Sequence, residues 1–212
     1  MAYNRIVLSS GHGKLVRGAS CSEPWGLDEV DEARLVVDEL ANELRQRGAW
    51  VMTFHDNHST TQGENLNAIV DFHNAQTRDL DVSVHFNAYE VTTSARGTEV
   101  LYKTQEKLAG AVSIAIASAG FIDRGAKKRD DLKFLNATEM PAILIEVCFV
   151  DSKADAEVYE NKFSDICANI ANVLAGVVEV VPVPPVETDE PASIDIVTSG
   201  AVVVTVNGRV VG

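Results

Sequence analysis

From residue 79 to residue 88 the hydrophobic and polar positions alternate: Leu80, Val82, Val84 and Phe86 interleave with Asp81, Ser83, His85 and Asn87. A period of two held over that length predicts a β-strand, and its valines suit one. The pattern breaks at Ala88-Tyr89-Glu90, so His85 and Asn87 fall at the strand's C-terminal end. That is the side on which open α/β sheets bind ligands. A histidine there can ligate a metal, act as a general base, or serve only as a hydrogen-bonded residue at a strand end.

Upstream, Ile6, Val7 and Leu8 mark a short buried strand over residues 4–9, followed at once by Ser10-Gly11-His12-Gly13. Glycines flanking a histidine let the backbone turn tightly and bring the imidazole into a cleft; the alternative is a surface turn. Residues 14–26 have no period and read as a loop. Residues 28–48 read as a helix, with Asp28 as N-cap and Gly48 as stop. Val30, Ala33, Val36, Val37, Leu40, Ala41 and Leu44 cluster on one face. Glu29 lies at the edge of that face, whereas Glu32 falls with Asp28, Glu39 and Glu43 on a stripe that reads as solvated. If one glutamate of this helix points inward it is Glu29; the alternative is that Glu29 only complements the helix dipole.

A second strand over residues 50–54 leads into His55 and His58, whose His-x-x-His spacing suits either a metal or a solvated loop. A helix over 66–74 carries Leu66, Ile69, Val70 and His73 on one face, a strand follows at 97–102, and a helix at 104–119 ends at Gly120. Residues 121–131 are polar and basic, with Arg124, Lys127, Lys128 and Arg129, and read as a solvated loop or a substrate-facing cation cluster. Residues 132–135 read as a short strand. After Pro141, residues 142–150 form a continuous apolar run of the kind buried on both faces of a sheet. Glu146 sits in the middle of it, where a carboxylate is costly unless paired or coordinated. A last helix lies within residues 151–178.

The 212 residues suffice for one full domain and an appendage: a domain over 1–178, a proline-rich linker over 179–193 and a β tail over 194–212 with a hairpin turn at Asn207-Gly208. The tail is too short to bury a core and has exposed strand edges. It is expected to dock on another surface, either a second copy of the chain or the main domain, and to contribute to assembly or targeting. The formal charge of −13 repels phosphate backbones, which argues against nucleic-acid binding. No apolar run is long enough to span a bilayer. The N-terminus shows no basic region followed by an apolar one, so no secretory signal is expected. Three scattered cysteines, Cys21, Cys148 and Cys167, argue against a disulfide framework.

Alternating strands and helices give an α/β class. Two histidines and one carboxylate with an open fourth position form a catalytic zinc arrangement, to which a further carboxylate can add a general base. The stretches Ser10-Gly11-His12-Gly13, Ser83-Val84-His85-Phe86-Asn87-Ala88, Arg124-Gly125-Ala126-Lys127 and Pro141 through Glu146, with Glu29 in the first helix, occur in an order that resembles the zinc-dependent N-acetylmuramoyl-L-alanine amidases of bacterial wall hydrolases and phage endolysins. The resemblance spans residues 5–177. Residues 131–136 and 146–151 resemble Gram-positive phage endolysins in particular, which wait in the cytoplasm until release.

The resemblance implies a mixed, largely parallel sheet flanked by helices on both faces. It implies one zinc ion held by His12, Glu29 and His85, and Glu146 as the catalytic glutamate. The implied partner is peptidoglycan, cut at the amide between N-acetylmuramic acid and L-alanine, with Asn87, Arg124 and Lys127 as candidates for holding the glycan or the stem peptide. Two departures stand out. Ser9-Ser10 replaces the usual acidic or proline residue before the first Gly-His, and the loop over 14–27 is peculiar to this chain, which leaves Glu32 as second choice for the helix ligand. Two rival classes are a cysteine amidase, with Cys148 as nucleophile and His85 as base, and a non-catalytic wall-binding module. The apolar strand around Cys148 suits a packed thiol better than a reactive one.

Overall fold

The computed structural model describes residues 3–177 and three strands of the tail. Contacts along the chain divide it into two units, Met1–Val180 and Val181–Gly212. In the first, the elements run β1 (Arg5–Gly13), α1 (Glu29–Gln46), β2 (Trp50–Asp56), α2 (Gln62–Asn74), β3 (Leu80–Asn87), β4 (Thr98–Tyr102), α3 (Glu106–Ala117), β5 (Asp123–Lys128), α4 (Lys133–Ala137), β6 (Ala142–Phe149) and α5 (Lys153–Leu174). The six strands form one sheet in the order β2-β1-β3-β6-β4-β5. All neighbours are parallel except β6 and β4, which are antiparallel. The edge at which β1, β3 and β6 end is therefore the edge at which β4 and β5 begin.

Strand alternation separates two unlike layers. Ile6 and Leu8 of β1, Val82 and Val84 of β3, and Ile143 and Ile145 of β6 are fully buried and join the main core with Val36, Val37 and Leu40 of α1, Val112 and Ile116 of α3, and Ile166 and Ile170 of α5. Truncating one of these leucines or isoleucines to alanine costs about 2–5 kcal/mol. A smaller cluster of Ile69, Leu101, Phe134, Leu135, Ala142 and Leu144 covers the other face beneath α2 and α4. The polar residues of β3 lie on this second face and are not in water: Asp81 and Ser83 are buried. Asp81 is satisfied by His73 Nδ1 at 2.7 Å and by Arg78 Nε and Nη2 at 2.7 and 2.9 Å.

Local chemistry fixes the helix starts that matter to the site. Asp28 caps α1 by accepting from the N–H groups of Val30 and Asp31. Thr61 and Glu64 close a capping box on α2, which begins four residues before the start its apolar stripe predicts. Two expectations fail. Residues 132–135 do not form a strand: α4 covers Lys133–Ala137 and packs Phe134 and Leu135 into the second cluster. The basic stretch around Arg124 and Lys127 is not a loop but β5, the edge strand of the sheet. None of its residues is buried, and Ala126 is the one partly buried hydrophobic it packs against the main core, so it carries no apolar alternation.

In the second unit, β7 (Asp195–Thr198), β8 (Val202–Val206) and β9 (Arg209–Val210) pair antiparallel in that order. The linker over 179–193 and the turn at Asn207-Gly208 lie outside the described residues. Among the described residues, no helix is long and apolar enough to cross a membrane.

Candidate metal centre

Three elements deliver the cluster. β1 pairs regularly with β2 through Ser9 and Phe54, then slips so that Gly13 meets Asp56. Within this bulge His12 takes a positive φ of 57°, a conformation that bends the strand end and re-aims its side chain. Glu29 opens α1 in line with Ala33 and Leu40, so its carboxylate is carried into the interior and is 3% exposed. His85 ends the polar row of β3.

The ligand atoms of His12, Glu29 and His85 all lie within 4.8 Å of one another. His85 Nδ1 stands 2.9 Å from Glu29 Oε1, and His12 Nε2 stands 3.4 Å from Oε2. Two backbone groups orient the carboxylate: Ala19 N–H donates to Oε2 at 2.7 Å and Phe86 N–H to Oε1 at 3.2 Å. Two glycines make room. A Cβ at Gly11 would lie 2.1 Å from His85 Cε1, and one at Gly18 would lie 2.1 Å from Glu29 Oε2. The loop over 14–27 thus folds its backbone against the carboxylate, a role that composition alone does not reveal.

Burial lowers the His12 pKa, helped by His85 and opposed by Glu29, which favours the neutral imidazole a metal requires. Burial also works against the charge on Glu29, but the His85 hydrogen bond and the two imidazoles outweigh it and the net shift is downward. Two imidazoles and one ionised carboxylate, converging and already oriented by backbone donors, can hold a metal ion, and the donor types suit zinc.

Glu146 lies on β6 as the register partner of His85. Its Oε2 is buried without a hydrogen-bond partner. Burial pushes its pKa up to about 7; His85 and Arg129 pull it back, and Glu29 and Glu99 add to the rise. A carboxyl poised near neutrality beside a metal cluster can take and return protons.

Of the remaining predicted residues, Asn87 and Arg124 are drawn together by Glu99, which no sequence pattern singles out. Asn87 Nδ2 donates to Glu99 Oε1 at 3.2 Å and Arg124 Nε to Oε2 at 2.7 Å. Glu99 is legible in the sequence as a polar position in a strand, but its place opposite Glu146 is a matter of register. Lys127 is exposed on β5, and its side chain makes no hydrogen bond or ion pair among the described residues. Glu32, the second choice for a ligand, is turned away and accepts from Tyr159 Oη at 2.9 Å. His55 and His58 do not act as a pair: His55 Nδ1 bonds Ser10 Oγ at 2.9 Å and its Nε2 meets Asp38 at 3.2 Å, while His58 is exposed. Cys148 is fully buried in the main core, and burial raises its thiol well above the ordinary range, the opposite of an activated nucleophile.

Comparison with known proteins agrees in extent with this domain. The family Amidase_3, N-acetylmuramoyl-L-alanine amidase, matches residues 6–175. An uncharacterized 38.4 kDa protein of Clostridium perfringens is 30% identical over 173 residues, covering 76% of this chain and 48% of its own length. "Probable cell wall amidase LytH" of Staphylococcus epidermidis is 26% identical over 152 residues, covering 71% of this chain and 49% of its own. The chain thus spans about half the length of these two relatives. Among solved structures, the catalytic domain of the CD27L endolysin targeting Clostridia difficile superposes with a TM-score of 0.71 at 25% identity, over 81% of this chain and 97% of that one.

Proposed function

This chain belongs to the N-acetylmuramoyl-L-alanine amidase family, and from that premise we propose that it hydrolyses the amide between N-acetylmuramic acid and the L-alanine of the peptidoglycan stem. The observation that carries the reading is the convergence of His12, Glu29 and His85 beside Glu146. In this reading His12, Glu29 and His85 would hold one zinc ion. Zinc supplies Lewis-acid chemistry, making water acidic near neutrality and polarising a carbonyl.

The chain's own residues do the rest. Glu29 stays ionised between two imidazoles and keeps both rings aimed. Glu146, with one oxygen unpartnered, accepts the proton of the attacking water and returns it to the departing alanine amine. A fourth protein ligand would close the position water needs, so Glu146 would serve beside the metal and not as a ligand to it. Asn87, Arg124 and Lys127, at or near the same sheet edge, are the candidates for holding the substrate. An endolysin role fits the CD27L likeness. The β tail is proposed to serve assembly or wall targeting.

The deciding experiment is product analysis. Purified wall treated with the protein should release peptides with a free L-alanine amino terminus, and chelation should stop the release. Release of reducing sugars alone, or release that persists in metal-free protein, would overturn the reading.

A further inference from the structure

In a chain of net charge −13, two guanidinium groups meet on one aromatic ring at the rim of the site. Arg124 Cζ lies 5.0 Å from the centre of the Phe149 ring and Arg96 Cζ lies 5.7 Å from it. Arg96 also lies 4.8 Å from the ring centre of Tyr89, which is 77% exposed. Phe149 ends β6 and pairs with Asn87, two residues beyond His85 on β3. With strands about 4.8 Å apart and a rise of about 3.3 Å per residue, the cations lie on the order of 10 Å from the metal cluster.

The rim is built into the fold. Asp155 accepts from the backbone N–H of Arg96 at 3.0 Å, of Gly97 at 2.9 Å and of Phe149 at 3.3 Å, so one buried carboxylate fixes both the loop and the ring. Glu99 holds Arg124 from the other side. Arg96 differs: its Nη2 donates to the Glu90 carbonyl at 3.0 Å and its buried Nε has no partner. Its side chain pairs with no carboxylate among the described residues. A guanidinium stacked on rings can still present donors to a carboxylate, and Arg96 Nη1 makes no hydrogen bond among the described residues.

We propose that Arg96 and Arg124 form a carboxylate-binding subsite for the peptide portion of the substrate, and so set the direction in which the substrate lies across the sheet. This rests on the amidase reading. On the glycan side of the scissile bond the groups are hydroxyls and acetamides; free carboxylates belong to the stem peptide. The peptide therefore runs from the metal cluster toward β4 and β5, and the glycan toward the cleft between β1 and α2. An extended chain covers at most about 3.3–3.6 Å per residue, so the recognised carboxylate belongs to the second or third residue of the stem.

The test is calorimetric titration of the full chain with the tripeptide L-alanyl-γ-D-glutamyl-L-lysine and with the same peptide amidated at both carboxylates. The acid form should bind about tenfold more tightly than the amide; Arg96→Gln and Arg124→Gln should each remove most of that preference while leaving the amide's affinity unchanged. Arg96→Gln keeps the backbone anchors on Asp155, and the wild-type acid-against-amide comparison needs no variant at all. Equal binding of acid and amide, no binding of either, or variants that weaken both alike would overturn the subsite. A parallel assay of muramoyl-peptide hydrolysis judges the amidase reading separately. Carboxylate-dependent binding without hydrolysis would sink that reading and still support the subsite.

Discussion

Glu99 and Glu146 stand opposite one another as register partners on β4 and β6. They are two carboxylates with unequal surroundings. Glu99 is matched by the Arg124 guanidinium and the Asn87 amide, whereas Glu146 has an oxygen with no partner. The matched acid organises the rim, and the unmatched one is the group free to exchange a proton.

Glu146→Gln keeps size and shape and removes the proposed base. The variant should fold, retain near-stoichiometric metal and lose on the order of 10²- to 10⁴-fold in rate. Glu29→Gln should lose metal affinity as well. Elemental analysis beside a hydrolysis assay separates the two; if Glu146→Gln loses its metal and Glu29→Gln keeps it, the roles are exchanged.

Gly11→Ala tests the packing of the cluster. The added carbon would lie 2.1 Å from His85 Cε1, so the ring must move. Metal affinity, read by competition with a chelator, should fall at least about tenfold, while overpacking costs about 1–3 kcal/mol of stability. Gly63→Ala on α2, with nothing within 4 Å of the new carbon, is the control. It should leave the metal alone and stabilise by roughly 0.5–1 kcal/mol.

Acid stability should depend on Asp56. Burial alone would raise its pKa, but hydrogen bonds from Ser59, Asn65 and His58 hold it at about 2, below the ordinary 3.8. Because the folded value is depressed, the contribution is complete above pH 3.8 and is lost as pH falls toward 2. Asp56→Asn should destabilise by on the order of 1–2 kcal/mol near neutrality, with the gap to wild type narrowing through that acid window. Urea melts at stepped pH would show it; a gap that widens in acid would count against the assignment.

Metal and thiol chemistry can be told apart in one experiment. Strong chelation should abolish hydrolysis, and added zinc should restore it. An alkylating agent should leave activity intact and Cys148 unmodified in the native protein, since that thiol is fully buried. Peptide mass mapping reports the modification.

Removal of residues 183–212 should leave hydrolysis of a soluble muramoyl peptide unchanged while lowering binding to intact walls or the oligomeric state. Loss of bound metal in the truncated chain would show that the tail supports the first unit instead.

Much of this was legible before the fold. The stripe of α1 shows that Glu29, not Glu32, enters the interior, and the alternation of β3 sets His85 at a strand end. The isolated charge of Glu146 in an apolar run marks it as exceptional. Other features were not legible for physical reasons. Leu132, Phe134 and Leu135 fit a period of two or of three to four equally well over so short a span, and packing against α2 and β6 decides for a helix. β5 carries no apolar alternation because none of its residues is buried. The partnership of Glu99 with Glu146, and of Arg96 with Phe149, depends on pairing between strands and loops distant in sequence, which no local pattern encodes.

The position of β6 also bears on the order of assembly. It is the last strand of the six to be synthesised, yet it sits between β3 and β4 in the interior of the sheet. A nascent chain that has reached only β5 leaves β3 with an unpaired edge, and the β4–β5 pair has no sheet to dock on. Closure must wait for residues 142–149 to insert, a non-local step of the kind that folds slowly. The same insertion delivers Glu146, so a chain halted earlier in synthesis lacks both its central strand and the carboxylate proposed as its base.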